Sequence, residues 1–376
     1  MSPTPIRADR PSPVTHASSL DASSWTPSRD GAGPAEIRAA FEGLADRMDE
    51  RDLAVVQERI YAPVDSAPTV AAIRRDVLAA RGLDESPVTF VCNRAPGAGL
   101  CAGVHLLAVR PGAGESVRTV QAGRFAGREL AWEQGRALFV ADIAASSGAV
   151  DPLAEMFESA AAALADRGLD LRDVARIWLY VADLVATYPR LNSARDEVFL
   201  AAGVMGQDGG LLDPPASTGI QGVHPRGAAC FADLLAVSSS SGVRPFEPVR
   251  PALQPEAWEY GPSFSRGMTV DLGGRSLVTI SGTASIDKGG LTLHEGDHEA
   301  QILETMRNVA SLLHVAGVEA PDSGLWTLYF KDQAAWEAWL RLERRGDVQR
   351  APSAVAVFGD VCRDDLLFEA EVTIPG

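Results

Sequence analysis

The feature that most constrains this chain is a pattern written twice. The frame Cys-x-x-Asp-Leu-Leu occurs at Cys230–Leu235 and again at Cys362–Leu367. The same kinds of element recur in the same order around each copy. A strand pattern at Ala137–Ala144 matches one at Leu277–Ala284. Helix patterns follow, one opened by Asp151-Pro152 and closed by Gly168, the other running from Asp297 to Gly317. The strand Ile177-Trp178-Leu179-Tyr180-Val181-Ala182-Asp183 parallels Trp326-Thr327-Leu328-Tyr329-Phe330-Lys331-Asp332, with Tyr and Asp in register. Further helices fall at Tyr188–Phe199 and Gln333–Leu342, and final strands at Leu234–Val237, Ala354–Phe358 and Leu366–Ile374. Repetition of a whole series of elements marks a repeated supersecondary unit. The expectation is therefore an α+β protein of two like units, each a mixed sheet with helices on one face.

The copies differ where chemistry can enter. From Leu366 the second copy alternates, with Leu366, Phe368, Ala370 and Val372 on one face and Leu367, Glu369 and Glu371 on the other. Superposing the two frames puts Glu369 where the first copy has Val237. A glutamate between apolar neighbours in a core strand loses solvation, which raises its pKa and lets it act as an acid. The plainer alternative is a salt-bridged or solvent-facing strand residue.

The rest of the chain sets the context. Residues 1–33 are rich in Pro, Ser, Ala and Asp without periodicity and read as a disordered leader. An N-terminal α+β segment follows over 34–127, with helices at Pro34–Asp49 and Thr69–Arg81 and strands at Leu53–Tyr61, Val88–Cys92 and Gly103–Val109. The repeated units occupy 128–245 and 246–376. At 376 residues and 46% hydrophobic, the chain can bury a sizeable core. A net charge of −16 argues against a nucleic-acid partner, which needs a basic face. No apolar run reaches membrane-spanning length, so no membrane partner is expected. Four unclustered cysteines suit a reducing cytoplasm and supply no metal framework, and neither a metal nor any other cofactor is expected.

Several motifs invite false readings. His294-Glu295-Gly296-Asp297-His298 spells a zinc-protease pattern, but Gly296 interrupts it and Asp297 is placed to cap the next helix. The glycines from Gly97 to Gly103 lead into a strand, whereas a dinucleotide fingerprint needs a helix there. No nucleophile elbow is present, and Ser238–Ser241 reads as a strand end. Trp336 and Trp339 read as packing under the last helix.

Longer motifs carry a family resemblance. Tyr188-Pro189-Arg190-Leu191-Asn192-Ser193-Ala194-Arg195-Asp196, Pro215–Gly222, Gln254–Arg266, Ser281-Gly282-Thr283-Ala284-Ser285 and Asp360-Val361-Cys362-Arg363 occur in order, and with them the sequence resembles the chorismatases over about residues 50–376. That family in turn resembles the Rid enamine/imine deaminases in fold, so the resemblance implies duplicated Rid-like (chorismate mutase-like) units. It implies chorismate as substrate, cleaved at its enolpyruvyl ether in specialised metabolism. The products would be pyruvate with either a dihydroxycyclohexadiene carboxylate or 3-hydroxybenzoate. The resemblance gives Glu369 the role of general acid.

For the two carboxylates of such a substrate, Arg266 and Tyr260 are the candidates, together with the Ser217-Thr218-Gly219 segment read as an anion-binding turn. Lys331 stands where the family commonly has arginine. Ala284 and Cys362 fall where its branches differ in pocket shape, Ala284 leaning towards the hydrolases and Cys362 leaving the benzoate-forming branch open. The loop Ile286–Gly290 also departs from the family pattern. Two other readings stand beside this one. The first is a Rid-type deaminase, whose carboxylate-binding arginine should fall near Ala354. The second is a ligand-binding protein without turnover. A homo-oligomer is one assembly such folds allow, although an internal repeat can replace a neighbouring subunit.

Overall fold

The strand Val174–Val181 is buried along its whole length. Such a strand must be covered on both faces, which is why its sequence is a continuous apolar run and not an alternation. In the computed structural model, which describes residues 19–27, 32–83, 86–97, 99–204, 213–351 and 353–376, helices cover one face. Other sheets cover the second.

The first group of elements is β1 (Ser19–Trp25), α1 (Pro34–Glu50), β2 (Ala54–Tyr61), α2 (Ala67–Arg81), β3 (Thr89–Val91) and β4 (Gly103–Arg110). The second is β5 (Ser116–Ala122), β6 (Phe125–Trp132), β7 (Gly135–Ala144), α3 (Pro152–Asp166), β8 (Val174–Val181), α4 (Leu184–Ala201), β9 (Ala216–Gln221) and β10 (Cys230–Ser239). The third is β11 (Phe246–Pro248), β12 (Gly267–Asp271), β13 (Ser276–Ala284), α5 (His298–Val315), β14 (Leu325–Phe330), α6 (Gln333–Arg345), β15 (Val355–Phe358) and β16 (Phe368–Pro375).

The repeated unit is present as an α+β sheet-and-helix layer, and it occurs three times. Strand orders are β1-β4-β2-β3, β5-β6-β7-β10-β8-β9 and β11-β12-β13-β16-β14-β15. Each sheet thus contains one four-stranded core with the same order. Its last two sequence-adjacent partners, β2–β3, β8–β9 and β14–β15, run parallel and the other neighbours antiparallel. The helix pairs pack on the outer faces, for example Met156, Phe157 and Leu191 over the second sheet and Val309, Trp336 and Trp339 over the third. The inner faces meet in a central core that includes Tyr61, Trp178, Phe231 and Tyr329. Asp151, Asp297 and Asp332 cap α3, α5 and α6 by accepting from the backbone N–H of Ala154, Ala300 and Ala335. Each such cap contributes about 1 kcal/mol.

Four sequence expectations require correction. Residues 19–25 of the expected leader form β1, paired residue for residue along β4. Its alternation is short, with only Leu20 and Ala22 set against polar neighbours and only Ser23 fully buried, and pairing with β4 supplies what periodicity signalled weakly. Residues 1–18 and 28–31 lie outside the described residues. The N-terminal segment, expected to run to Gly127, gives way earlier, because β5 and β6 belong to the second sheet. The segment Ser217-Thr218-Gly219, expected as a turn, lies inside strand β9. Finally, Leu366 precedes β16 and packs in the central core, so the alternation holds only from Phe368.

The two Cys-x-x-Asp-Leu-Leu frames also do not superpose. Cys230 opens β10, whereas Cys362 lies in the loop before β16. Phe231 sits opposite Tyr180, and Glu369 sits opposite Tyr329. The structural counterpart of Glu369 is therefore Phe231 and not Val237, and that of Glu371 is Asp233.

Candidate active site

A cleft opens where the second and third units meet. Strand β16 delivers Glu369 to it, because Phe368, Ala370 and Val372 face the outer helices and leave the odd positions facing inward. The register of β16 against β13 slips between Ile280 and Thr283, and Gly282 falls in that bulge. The glycine is needed there. A Cβ on Gly282 would lie 2.0 Å from Oε1 of Glu369, so only hydrogen leaves room for the carboxyl group.

Glu369 is 4% exposed, and its carboxyl makes no hydrogen bond to another described residue. Burial, and then the charge of Glu371, push it up to about 8, against the opposing pull of Arg266 and Arg176. At neutral pH it is a protonated acid. Glu371, two residues on, is its opposite. Tyr329 OH (3.0 Å) and Thr327 Oγ1 (3.2 Å) donate to one oxygen, and Thr218 Oγ1 (2.6 Å) and Arg176 Nη2 (2.7 Å) to the other. Arg59 Nη1 adds a contact at 3.3 Å. Burial opposes its ionisation, but Arg176, Arg59 and the two hydroxyls outweigh burial and hold it below the ordinary carboxylate range. Two neighbouring carboxyl groups with pKa values driven apart are the arrangement by which one acid is kept charged and the other neutral.

Cations line the rest of the cleft. Arg266, 2% exposed, donates from Nε to the Pro255 carbonyl at 3.0 Å and from Nη2 to the Tyr260 hydroxyl at 2.6 Å. Tyr260 thereby accepts from Arg266 and retains its own proton for an acceptor in the cleft. Arg195, on α4, donates to Asn192 Oδ1 at 2.7 Å, while its buried Nε has no partner among the described residues. Arg363 donates to the Gly290 carbonyl at 2.6 Å, and its guanidinium lies 5.3 Å from the Tyr260 ring centroid. The Ser217 hydroxyl is buried without a partner among the described residues. Burial, with the Glu369 charge, pushes the Cys362 thiol up to about 12, so it is a neutral wall. The free volume is only about 30 Å³, room for a water or two and not for a ring.

Glu369, Tyr260, Arg266, Ser217, Gly219, Ala284 and Cys362 are thus brought together around one cleft. Two expected residues are not. Thr218 stands behind the wall, where Oγ1 accepts from Arg176 and from the Gly282 N–H and donates to Glu371. Lys331 is the residue after β14, and its ammonium is tied to the carbonyl and carboxylate of the exposed Asp364. Its side chain does not line the cleft. Tyr188, Arg195, Arg363 and Gly282 were not singled out from the sequence. A seven-residue spacing puts Tyr188 and Arg195 two turns apart on one face of α4, which was a readable signal. His294 and His298 are separated by the start of α5, with Asp297 as its cap. Among the described residues no His, Cys, Asp or Glu cluster suited to a metal is found, and no helix is long and apolar enough to cross a membrane.

No protein-family model matches the sequence, and no curated protein matches it. Solved structures do match. A chorismatase crystal structure aligns over 96% of this chain and 100% of its own, with a TM-score of 0.62 and 17% identity. Shorter matches include a Rid-family protein of unknown function, YyfA from Yersinia pestis, and E. coli TdcF with bound serine. They are 17% and 23% identical, cover 35% and 34% of this chain and 99% and 97% of their own, and score 0.29 and 0.26. What the full-length alignment shows is the architecture: the chain has a chorismatase-like fold.

Proposed function

We propose that this protein is a chorismatase-like enzyme that cleaves the enolpyruvyl ether of chorismate, with Glu369 as the general acid. The observation that carries the reading is a buried carboxyl group without a hydrogen-bond partner among the described residues, its pKa raised by burial, facing a cleft lined by three arginines. An enol ether is cleaved after proton transfer to its terminal methylene carbon, and carbon accepts protons slowly. A positioned acid with a pKa near the working pH is what that step needs. Glu369 gives its proton to the methylene carbon, leaving an oxocarbenium ion beside the new carboxylate. Addition of water to that cation, and collapse of the hemiketal, releases pyruvate and a dihydroxycyclohexadiene carboxylate. Attack by a ring hydroxyl in place of water opens the route to pyruvate and 3-hydroxybenzoate.

The remaining residues suit the substrate. A dicarboxylate in a chain of charge −16 needs local cations, and Arg195, Arg266 and Arg363 supply them around the cleft. The Tyr260 and Ser217 hydroxyls add donors. No metal, cofactor or second protein enters this scheme.

The test is incubation of the purified chain with chorismate, following pyruvate by a coupled assay and the ring product by chromatography. Release by the native protein and a loss of about 10²–10⁴-fold in Glu369→Gln is expected, the size of a general-acid contribution. Turnover of an imino acid with chorismate untouched refutes the reading in favour of a deaminase.

A further inference from the structure

The threefold repetition allows the cleft to be compared with its own counterpart between the first and second units. There Thr89 donates to Asp233, and the backbone N–H of Asp142 reaches Thr89 Oγ1 at 3.1 Å. At the active cleft Thr218 donates to Glu371, and the N–H of Gly282 reaches Thr218 Oγ1 at 2.9 Å. The bulge register makes Asp142 the counterpart of Gly282, as it makes Asp233 that of Glu371. The carboxyl–threonine–bulge element is therefore common to both interfaces and independent of the acid, since Phe231 stands where Glu369 does. What sets the active copy apart is its cations. Arg176 and Arg59 contact Glu371, whereas Asp233 has a buried oxygen with no partner among the described residues.

These contacts join all three units at one carboxylate. Arg59 comes from β2 of the first unit, Arg176 and Thr218 from the second, and Glu371, Thr327 and Tyr329 from the third. Arg59 is stacked 4.4 Å from the Trp178 ring centroid, which fixes its direction. The first unit contributes no side chain to the cleft itself. We propose that Glu371 is a positioning residue for the Glu369 acid, and that through Arg59 the N-terminal unit controls the charge standing behind the active cleft. This rests on the reading of Glu369 as the acid. The charged and titratable groups facing Glu369 are Glu371 on its own strand, Arg176 from β8, Arg266 ahead of β12, Cys362 from the preceding loop and Tyr188 from α4, with Arg195, Tyr260 and Arg363 across the same cleft. Removing the negative charge of Glu371 leaves Arg176, Arg59 and Arg266 unopposed, which favours the ionised form of Glu369. Removing Arg59 while Arg176 stays strips part of the compensation from Glu371, which favours the protonated form.

The experiment titrates Glu369 in the full chain labelled with ¹³C at the glutamate carboxyl, with its signal assigned by loss in Glu369→Gln. The wild-type midpoint is expected near 8. In Glu371→Gln it should fall by about one pH unit or more, and in Arg59→Met it should rise. The alkaline limb of kcat/KM on chorismate should move with it in each variant. A merely structural role lowers activity without moving either midpoint. If Glu371→Gln does not fold, Arg59→Met decides alone by its upward shift. Midpoints that stay at the wild-type value, or that move in the same direction in both variants, overturn the proposal. Midpoints that move as expected while chorismate is not consumed refute the substrate and leave the positioning role standing.

Discussion

Keeping an acid dry costs stability, and the cost depends on pH in a way that identifies the group responsible. Glu369 is lifted from an ordinary 4.5 to about 8 when the chain folds. Between those two values the folded protein holds a proton that the unfolded chain has released. Stability must therefore fall as pH rises, at up to 1.36 kcal/mol per pH unit. Below pH 4.5 the term is absent, and above 8 it is fully expressed, at roughly 5 kcal/mol. That is a large part of the 5–15 kcal/mol typical of a whole domain. Replacing Glu369 by Gln removes the ionisation and keeps the shape. The amide is left without a partner, which costs about 1–3 kcal/mol at every pH. The informative quantity is thus the change with pH of the difference between variant and wild type. Urea unfolding of both proteins at pH 5.5 and pH 9 measures it. At pH 9 Glu369→Gln should have gained about 3 kcal/mol relative to wild type, compared with pH 5.5. A difference that is the same at both pH values refutes a buried protonated Glu369, whatever the substrate proves to be.

Two further predictions concern residues around the acid. Gly282→Ala puts a methyl group 2.0 Å from the Glu369 carboxyl oxygen, so the acid must swing away. Because that oxygen is the far end of a flexible side chain, we expect the fold to survive, with an unchanged circular dichroism spectrum and a kcat reduced about 10²-fold or more. Lys331→Ala breaks only a surface tie to Asp364 and should leave KM for chorismate within about twofold, with a stability change under about 1 kcal/mol by thermal unfolding.

What the sequence disclosed was set by how local the cause was. The alternation of Phe368, Ala370 and Val372 against Glu369 and Glu371 is a property of a few consecutive residues, and the strand and its acidic face were readable from it. The pairing of Tyr180 with Tyr329 was readable because both strands keep a long apolar run. Strand register was not. It depends on the partner and on the bulge at Gly282, so matching cysteines pointed to Val237 when the true counterpart is Phe231. The first unit escaped notice as a third copy because β1 buries a single residue and shares no motif with β7 or β13. Lys331 stays off the cleft for a related reason. Aligned sequence carried it into the site, but β14 ends at Phe330 and the next side chain turns to Asp364. The Arg59–Glu371 contact spans 312 residues and leaves no local trace.

The three interfaces between units share a strand order but not their side chains, and those differences set the acid apart. At the first, Asp142 occupies the bulge with a left-handed backbone, φ 56°, which aspartate tolerates better than most residues. Its oxygens accept from His224 at 2.8 Å and Arg226 at 2.7 Å, so a carboxyl group is present but is already engaged. Phe231 fills the position from which an acid would reach into that cleft, stacked on Tyr180. At the interface of the third unit with the first, the corresponding position is Gly103, where a Cβ would meet Val355 at 2.5 Å and the Trp25 carbonyl at 2.9 Å. No side chain of any kind fits. Only between the second and third units do a glycine in the bulge and a glutamate on the strand coincide. Neither change suffices alone: glutamate over Asp142 has no room, and glycine beneath Phe231 leaves no acid. Glu369 is held neutral here because it is buried without an ion pair among the described residues, while Arg176 and Arg59 are engaged by Glu371 and Arg266 by Pro255 and Tyr260. The buried carboxyl group thus follows from two residue choices on a scaffold that the chain repeats three times.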